Sequence, residues 1–289
     1  MYPYTGLSDS RRSLMPLSKG RVASLPFKKS RSELAFQQPA RPAVLLLHGF
    51  MGAASDWRAV VAALEVQYRC LAVDLPGHGR SVGLAREAYT MAGAAKGLVK
   101  VLDEAGLERC AIVGYSMGGR LALYFALAYP ERCTRLLLES ASPGLEAEAE
   151  RAARRAEDEG RARRLVEEGL AVFLKNWYHQ PLFASLGRQE GLVETLIARR
   201  LRNDPHELAR SLRGMGTGQQ PSLWERLGDL RVSTLALTGA LDPKYAGIVR
   251  RMGRLNPHVQ AVVVSGAGHN VHAEAPALYL NHLNDFLNA

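Results

Sequence analysis

Cys110-Ala111-Ile112-Val113-Gly114-Tyr115-Ser116-Met117-Gly118-Gly119 is the stretch that decides the fold of this chain. Its first four residues form a short apolar run of the kind that builds a strand buried on both faces. The following segment, residues 119–127, reads as a helix. A Gly-x-Ser-x-Gly pattern alone carries little information, because glycine and serine are common. Between a strand and a helix it becomes specific: a sharp turn that lifts Ser116 to the carboxyl edge of a sheet. The glycines are required because strand and helix backbones nearly touch there. The alternative is a plain strand-to-helix turn with a surface serine.

Outward from that turn the chain alternates apolar strands with helical segments. Strands are expected at 44–47, 70–73, 111–113, 135–138, 235–237 and 259–264. Helices are expected at 56–66, 88–105, 246–255 and 276–287, and after Ser116. This alternation predicts an α/β fold with a mostly parallel sheet, helices on both faces and right-handed crossovers. Residues 142–221 break the rhythm. They carry no clear strand and four Ala/Glu/Arg-rich helical segments, at 146–168, 170–177, 191–202 and 205–213. An all-helical insertion after a sheet strand reads as a lid over the carboxyl edge. Three regions are therefore expected: a tail at 1–41, a core at 42–141 and 222–289, and a helical lid at 142–221.

Length and composition bound the class. A chain of 289 residues with 47% hydrophobic and 7% aromatic content can bury a full core. No apolar run approaches the roughly 20 residues that cross a bilayer. Cys70, Cys110 and Cys133 are odd in number and lack metal-ligand spacing, which points to reduced core thiols and to no metal site. The net charge of +9 invites a nucleic-acid reading, but its distribution argues against one. Residues 1–41 hold eight basic and two acidic side chains; residues 142–222 hold twelve arginines and Lys175 against twelve acids. No basic stripe interleaved with aromatics appears. The tail is expected to be a mostly disordered arm ending in some strand, at 21–27 or 33–38. It has no apolar stretch of secretory type. A cytoplasmic location follows, or a plastid one if the tail is a transit peptide.

A serine hydroxyl becomes reactive only when a histidine takes its proton, and that histidine needs an acid to fix its tautomer. After a serine on a strand-to-helix turn, the acid and then the histidine should follow in chain order. Asp242 follows the strand at 235–237, and His269 follows the strand at 259–264; both fall on loops at the edge that carries Ser116. Glu139, also just past a strand, is the rival acid; His272 is the rival base, but it sits nearer the next helix and reads as a structural or lid-facing residue. His48-Gly49-Phe50 follows the first apolar strand, so the backbone N–H groups of Phe50 and Met117 are the expected oxyanion hole. His48, Asp74 and His78 are expected to hold loops rather than to react.

Taken in order, His48-Gly49, the Asp74-Leu75-Pro76-Gly77-His78-Gly79 turn, Ser116, Asp242 and His269 resemble the α/β-hydrolase superfamily from about Pro42 to the C-terminus. The substrate clue is Arg120, one helical turn past Ser116. A guanidinium there suits a carboxylate, which it grips with two hydrogen bonds. The alternative is a surface arginine paired with a local acid.

Six further stretches narrow the resemblance: Gly114 to Arg120, Leu47 to Gly52 with Asp56-Trp57, Glu139 to Leu145, Asn176 to Phe183, Gly216 to Trp224, and Leu241 to Tyr245. Together they resemble the 2-succinyl-6-hydroxy-2,4-cyclohexadiene-1-carboxylate synthases of menaquinone and phylloquinone biosynthesis. That resemblance implies a cofactor-independent lyase on a hydrolase scaffold, eliminating pyruvate from a small-molecule tricarboxylate. It implies substrate contacts from Arg120, Tyr115, Trp177, Arg154 (or Arg155) and Arg200 (or Arg199). Oligomeric state is not legible. Two alternatives stay open: a serine esterase or carbon–carbon bond hydrolase with the same triad, and a non-catalytic ligand receptor on the same fold.

Overall fold

The computed structural model describes residues 41–289 and, before them, the strand Val22–Ala23. The rest of the expected arm, residues 1–21 and 24–40, lies outside the described residues. Seven parallel strands form one sheet: β1 (Val22–Ala23), β2 (Ala43–Leu47), β3 (Arg69–Val73), β4 (Cys110–Tyr115), β5 (Cys133–Glu139), β6 (Thr234–Gly239) and β7 (Val259–Val264), in the order β1-β3-β2-β4-β5-β6-β7. The helices are α1 (Arg58–Leu64), α2 (Met91–Glu104), α3 (Met117–Ala128), α4 (Glu148–Glu167), α5 (Leu170–Tyr178), α6 (Leu192–Arg200), α7 (Pro205–Met215), α8 (Pro243–Leu255), α9 (Val271–Glu274) and α10 (Pro276–Asn288).

The strands are apolar on both faces because both faces are covered. Leu45, Leu47, Ile112, Leu136 and Leu138 join α2, α3 and α8 in one core. Their immediate neighbours Val44, Leu46, Val113 and Leu137 join α1 and α10 in the other. This is the two-residue period of a strand, with each side chain entering the opposite layer. Leu46 is fully buried, and truncating it to alanine would cost about 2–5 kcal/mol in transfer and cavity terms. The three cysteines are buried thiols without disulfides, and burial pushes Cys70 up to about 11 and Cys110 up to about 12.

Between β5 and β6 stand α4 to α7, with a 3₁₀ segment, Pro181–Arg188, between α5 and α6. Their own apolar cluster includes Ala162, Leu165, Phe173, Leu174, Leu208 and Leu212, and closes on Met51 of the loop after β2. Asp204 caps α7 by accepting from the His206 and Glu207 N–H groups, with Pro205 at the first helical position. The neck of the insertion is tied where the Leu223 N–H donates to the Pro143 carbonyl (2.7 Å) and the Trp224 indole to the Gly144 carbonyl (2.9 Å). Among the described residues no helix is long and apolar enough to cross a membrane, and no His/Cys/Asp/Glu cluster could hold a metal ion.

Candidate active site

Ser116 joins β4 to α3 with φ +50° and ψ −110°, a backbone shape that side-chain-bearing residues rarely adopt. The neighbouring chain forces it. A Cβ at Gly114 would strike the Gly118 carbonyl, and one at Gly118 would strike the backbone of Leu47. The turn is therefore compact enough to aim the hydroxyl out of the sheet edge.

Loops from two other strands meet that hydroxyl. The Ser116 hydroxyl donates to His269 Nε2 at 3.1 Å, and His269 Nδ1 donates to Asp242 Oδ2 at 2.7 Å. Both His269 and Asp242 are buried. The other oxygen of Asp242 accepts the Tyr245 N–H at 3.1 Å as the N-cap of α8, so the start of a helix fixes the carboxylate. The Tyr245 ring stands edge-on to His269 at 4.7 Å. The rival base and acid are engaged with each other instead: His272 Nδ1 lies 2.7 Å from Glu139 Oε2, away from Ser116.

The loop after β2 is held by two buried imidazoles. His48 Nε2 accepts the Leu75 N–H (2.9 Å), and His78 Nε2 accepts the Met51 N–H (3.0 Å). Burial lowers the pKa of both rings, keeping them neutral. Asp74 adds a bond from the Ala54 N–H (2.8 Å). These contacts hold the loop from which Phe50 joins Ser116 and Met117 in lining the cavity. Met117 is the first residue of α3, so its N–H has no partner within the helix.

A cavity of about 500 Å³ opens above Ser116 and His269, walled by the insertion. Arg120 lines it. The guanidinium is buried, donates to Gln220 Oε1 at 3.1 Å, and pairs with no carboxylate among the described residues. Burial, with the nearby charge of Arg154, lowers its pKa to about 10. Arg120 is thus not a surface arginine satisfied by a local acid. Arg154 also lines the cavity, with Nε 2.8 Å from Asp158 Oδ1. Arg155 does not; it turns outward to Glu148 at 2.6 Å. Trp177 lines the wall between Phe50 (5.6 Å) and Phe173 (5.7 Å).

Two expected contacts, Arg200 and Tyr115, lie outside the lining of the main cavity but beside Ser116. Arg199 is exposed. Arg200 is buried outside the main cavity, where Nη1 meets Asp56 Oδ1 at 2.8 Å. Burial alone would disfavour its charge, but Asp56 and Tyr178 together outweigh this and raise its pKa. Arg200 and Tyr115 line a recess of about 30 Å³ that also touches Ser116. Lys244 and Tyr245, from the Leu241 to Tyr245 stretch, also line the main cavity, as does Arg161, which sequence did not single out. Arg161 sits seven residues after Arg154, two turns along the same helix face, and that spacing was the available signal.

A three-layer parallel sheet with a serine on the turn after β4, followed by acid and histidine on later loops, defines a class. The chain belongs to the α/β-hydrolase fold family, whose model matches residues 42–276. Within it the likeness is narrower. The 2-succinyl-6-hydroxy-2,4-cyclohexadiene-1-carboxylate synthase of Serratia proteamaculans is 36% identical over 86% of this chain and 93% of that one, and the chain belongs to that synthase family. The structure of MenH from S. aureus matches with a TM-score of 0.83 at 32% identity, over 87% of this chain and 95% of its own. The Arabidopsis thaliana protein PHYLLO, chloroplastic, is 34% identical over 84% of this chain, which spans 15% of that much longer protein.

Proposed function

We propose that this protein is a lyase that eliminates pyruvate from 2-succinyl-5-enolpyruvyl-6-hydroxy-3-cyclohexene-1-carboxylate, giving 2-succinyl-6-hydroxy-2,4-cyclohexadiene-1-carboxylate. The observation that carries this reading is Arg120. A buried guanidinium without an acidic partner, one turn from Ser116 and facing a cavity with Arg154, suits a substrate with several carboxylates. An apolar acyl group would leave that charge uncompensated. The relatives named for this reaction support the same substrate.

In the mechanism, His269 takes the Ser116 proton, and the Ser116 oxygen removes the proton next to the succinyl carbonyl. Asp242 fixes the His269 tautomer and stabilises its positive charge. The carbonyl oxygen gains negative charge and is held by the Phe50 and Met117 N–H groups. The electron pair moves through the ring double bond and breaks the C–O bond to the enolpyruvyl group. Enolpyruvate leaves, takes up a proton and becomes pyruvate. No acyl-enzyme forms, and this chemistry makes no demand for a cofactor. Helices α4 to α7 act as the lid that excludes water, with Trp177 packing on the ring of the substrate. Arg200 and Tyr115 act from behind Ser116, Arg200 through its hold on the Asp56 loop.

The reaction belongs to menaquinone or phylloquinone synthesis. We propose a cytoplasmic site of action, or the plastid if residues 1–41 are a transit peptide; three buried thiols suit a reducing compartment. The test is to supply the enolpyruvyl precursor and measure pyruvate. Release well above the uncatalysed background is expected. No release above background, with brisk hydrolysis of simple aryl esters, would overturn the reading in favour of an esterase.

A further inference from the structure

On α4, Arg154, Glu157 and Arg161 all face the main cavity. Glu157 and the triad residue Asp242 are the two carboxylates on the cavity wall among the described residues, and Asp242 is committed to His269. Glu157 Oε1 lies 2.6 Å from Arg161 Nη2, and its other oxygen lies 3.6 Å from Arg154 Nε. It therefore sits between the two cavity-facing guanidiniums of the lid.

The neighbouring acid, Asp158, behaves differently. It is buried, bonds Arg154 at 2.8 Å and Arg161 at 3.4 Å, and accepts the Gly218 N–H. It is a fixed strut. The Glu157 side chain is 53% exposed and is bonded to the arginines alone among the described residues. A half-exposed ion pair is held weakly and exchanges readily. Arg161 itself lies over the Trp177 ring at 5.5 Å, on the wall where a ring-shaped substrate would rest.

We propose that Glu157 is a displaceable internal carboxylate that occupies Arg154 and Arg161 while the cavity is empty, and that Arg161 joins Arg154 in binding a substrate carboxylate once Glu157 is expelled. This rests on the polycarboxylate reading above. A ligand with one carboxylate binds Arg120 and leaves Glu157 in place. A ligand with two or three must expel it. Glu157 returns to the two guanidiniums once the dicarboxylate product has left.

The test compares wild type with Glu157→Gln and Arg161→Gln, titrating citrate and, separately, pyruvate by calorimetry on the full chain. Glu157→Gln is expected to tighten citrate about two- to fivefold, the scale of an exposed ion pair, and to move pyruvate less. KM for the enolpyruvyl precursor should fall by a similar factor. Arg161→Gln should weaken citrate. Unchanged or weaker citrate binding in Glu157→Gln would overturn the proposal, as would equal tightening of both ligands, which would make Glu157 a general field rather than a placeholder. Citrate binding requires no turnover, so the two readings fail separately. Citrate tightening without pyruvate release would sink the lyase reading alone, and pyruvate release without citrate tightening would sink this one alone.

Discussion

His272 is bound twice by Glu139: its N–H donates to Oε1 at 3.0 Å, and its Nδ1 donates to Oε2 at 2.7 Å. The pair lies at the end of β5, with the His272 ring stacked on Trp57 at 4.7 Å and edge-on to Tyr115 at 5.0 Å. It anchors the start of α9, directly after the loop that carries His269. His272→Ala removes the imidazole bond from a fully buried carboxylate that keeps its bond from the backbone N–H of position 272, which should cost about 1–3 kcal/mol. Thermal unfolding should show a drop in Tm. The folded fraction should keep far more activity than His269→Ala, because the Ser116–His269–Asp242 contacts do not pass through His272.

Arg120→Ala is expected to raise KM and to lower kcat/KM by about 10- to 100-fold, the worth of a charge-assisted hydrogen bond. Steady-state kinetics check this. Aryl ester hydrolysis, if any is detectable, should be unaffected, since a neutral ester offers Arg120 no charge.

Asp242→Asn separates the two duties of that side chain. An amide oxygen can still cap α8 through the Tyr245 N–H, so Tm should change little. The His269 tautomer would no longer be fixed, and kcat should fall about 10³- to 10⁴-fold by the reasoning that applies to other triads. A Tm loss matching the activity loss would contradict this division.

Acid should loosen the loop that carries Phe50. His48 and His78 have pKa values lowered chiefly by burial, while in the unfolded chain they return to about 6.5. Unfolding therefore takes up protons below that pH. Stability from these rings is complete above about pH 6.5 and declines as pH falls, at up to about 1.4 kcal/mol per pH unit for each ring. Urea unfolding at pH 7.5 and pH 5.5 measures the slope, and His78→Gln should reduce it.

The pattern of apolar runs was enough to reveal six strands and their intervening helices, because parallel strands buried on both faces cannot be mistaken for surface segments. The four expected lid segments correspond to α4 through α7, where helix-forming residues, and at α7 the Asp204 cap with Pro205, signal locally. Chain order and strand-end position singled out Ser116, Asp242 and His269, the three residues that the fold brings into contact. Pairings between distant residues were not legible. The Arg200–Asp56 bond joins positions 144 residues apart, and it fixes in the recess beside Ser116 an arginine that resemblance alone put against substrate. The His272–Glu139 pair is 133 residues apart; the two rivals for the triad proved to be partners. Arg154 and Arg155 differ only in the direction they leave the helix, which depends on where α4 packs on α7.

The central claim is that the Ser116 hydroxyl removes a substrate proton within a polycarboxylate pocket. Its most direct test is pyruvate release from the enolpyruvyl precursor by Ser116→Ala, with precursor binding measured in parallel. The account expects kcat to fall at least about 10³-fold while the precursor still binds within a few-fold of wild type. Pyruvate release near the wild-type rate in that variant would contradict it.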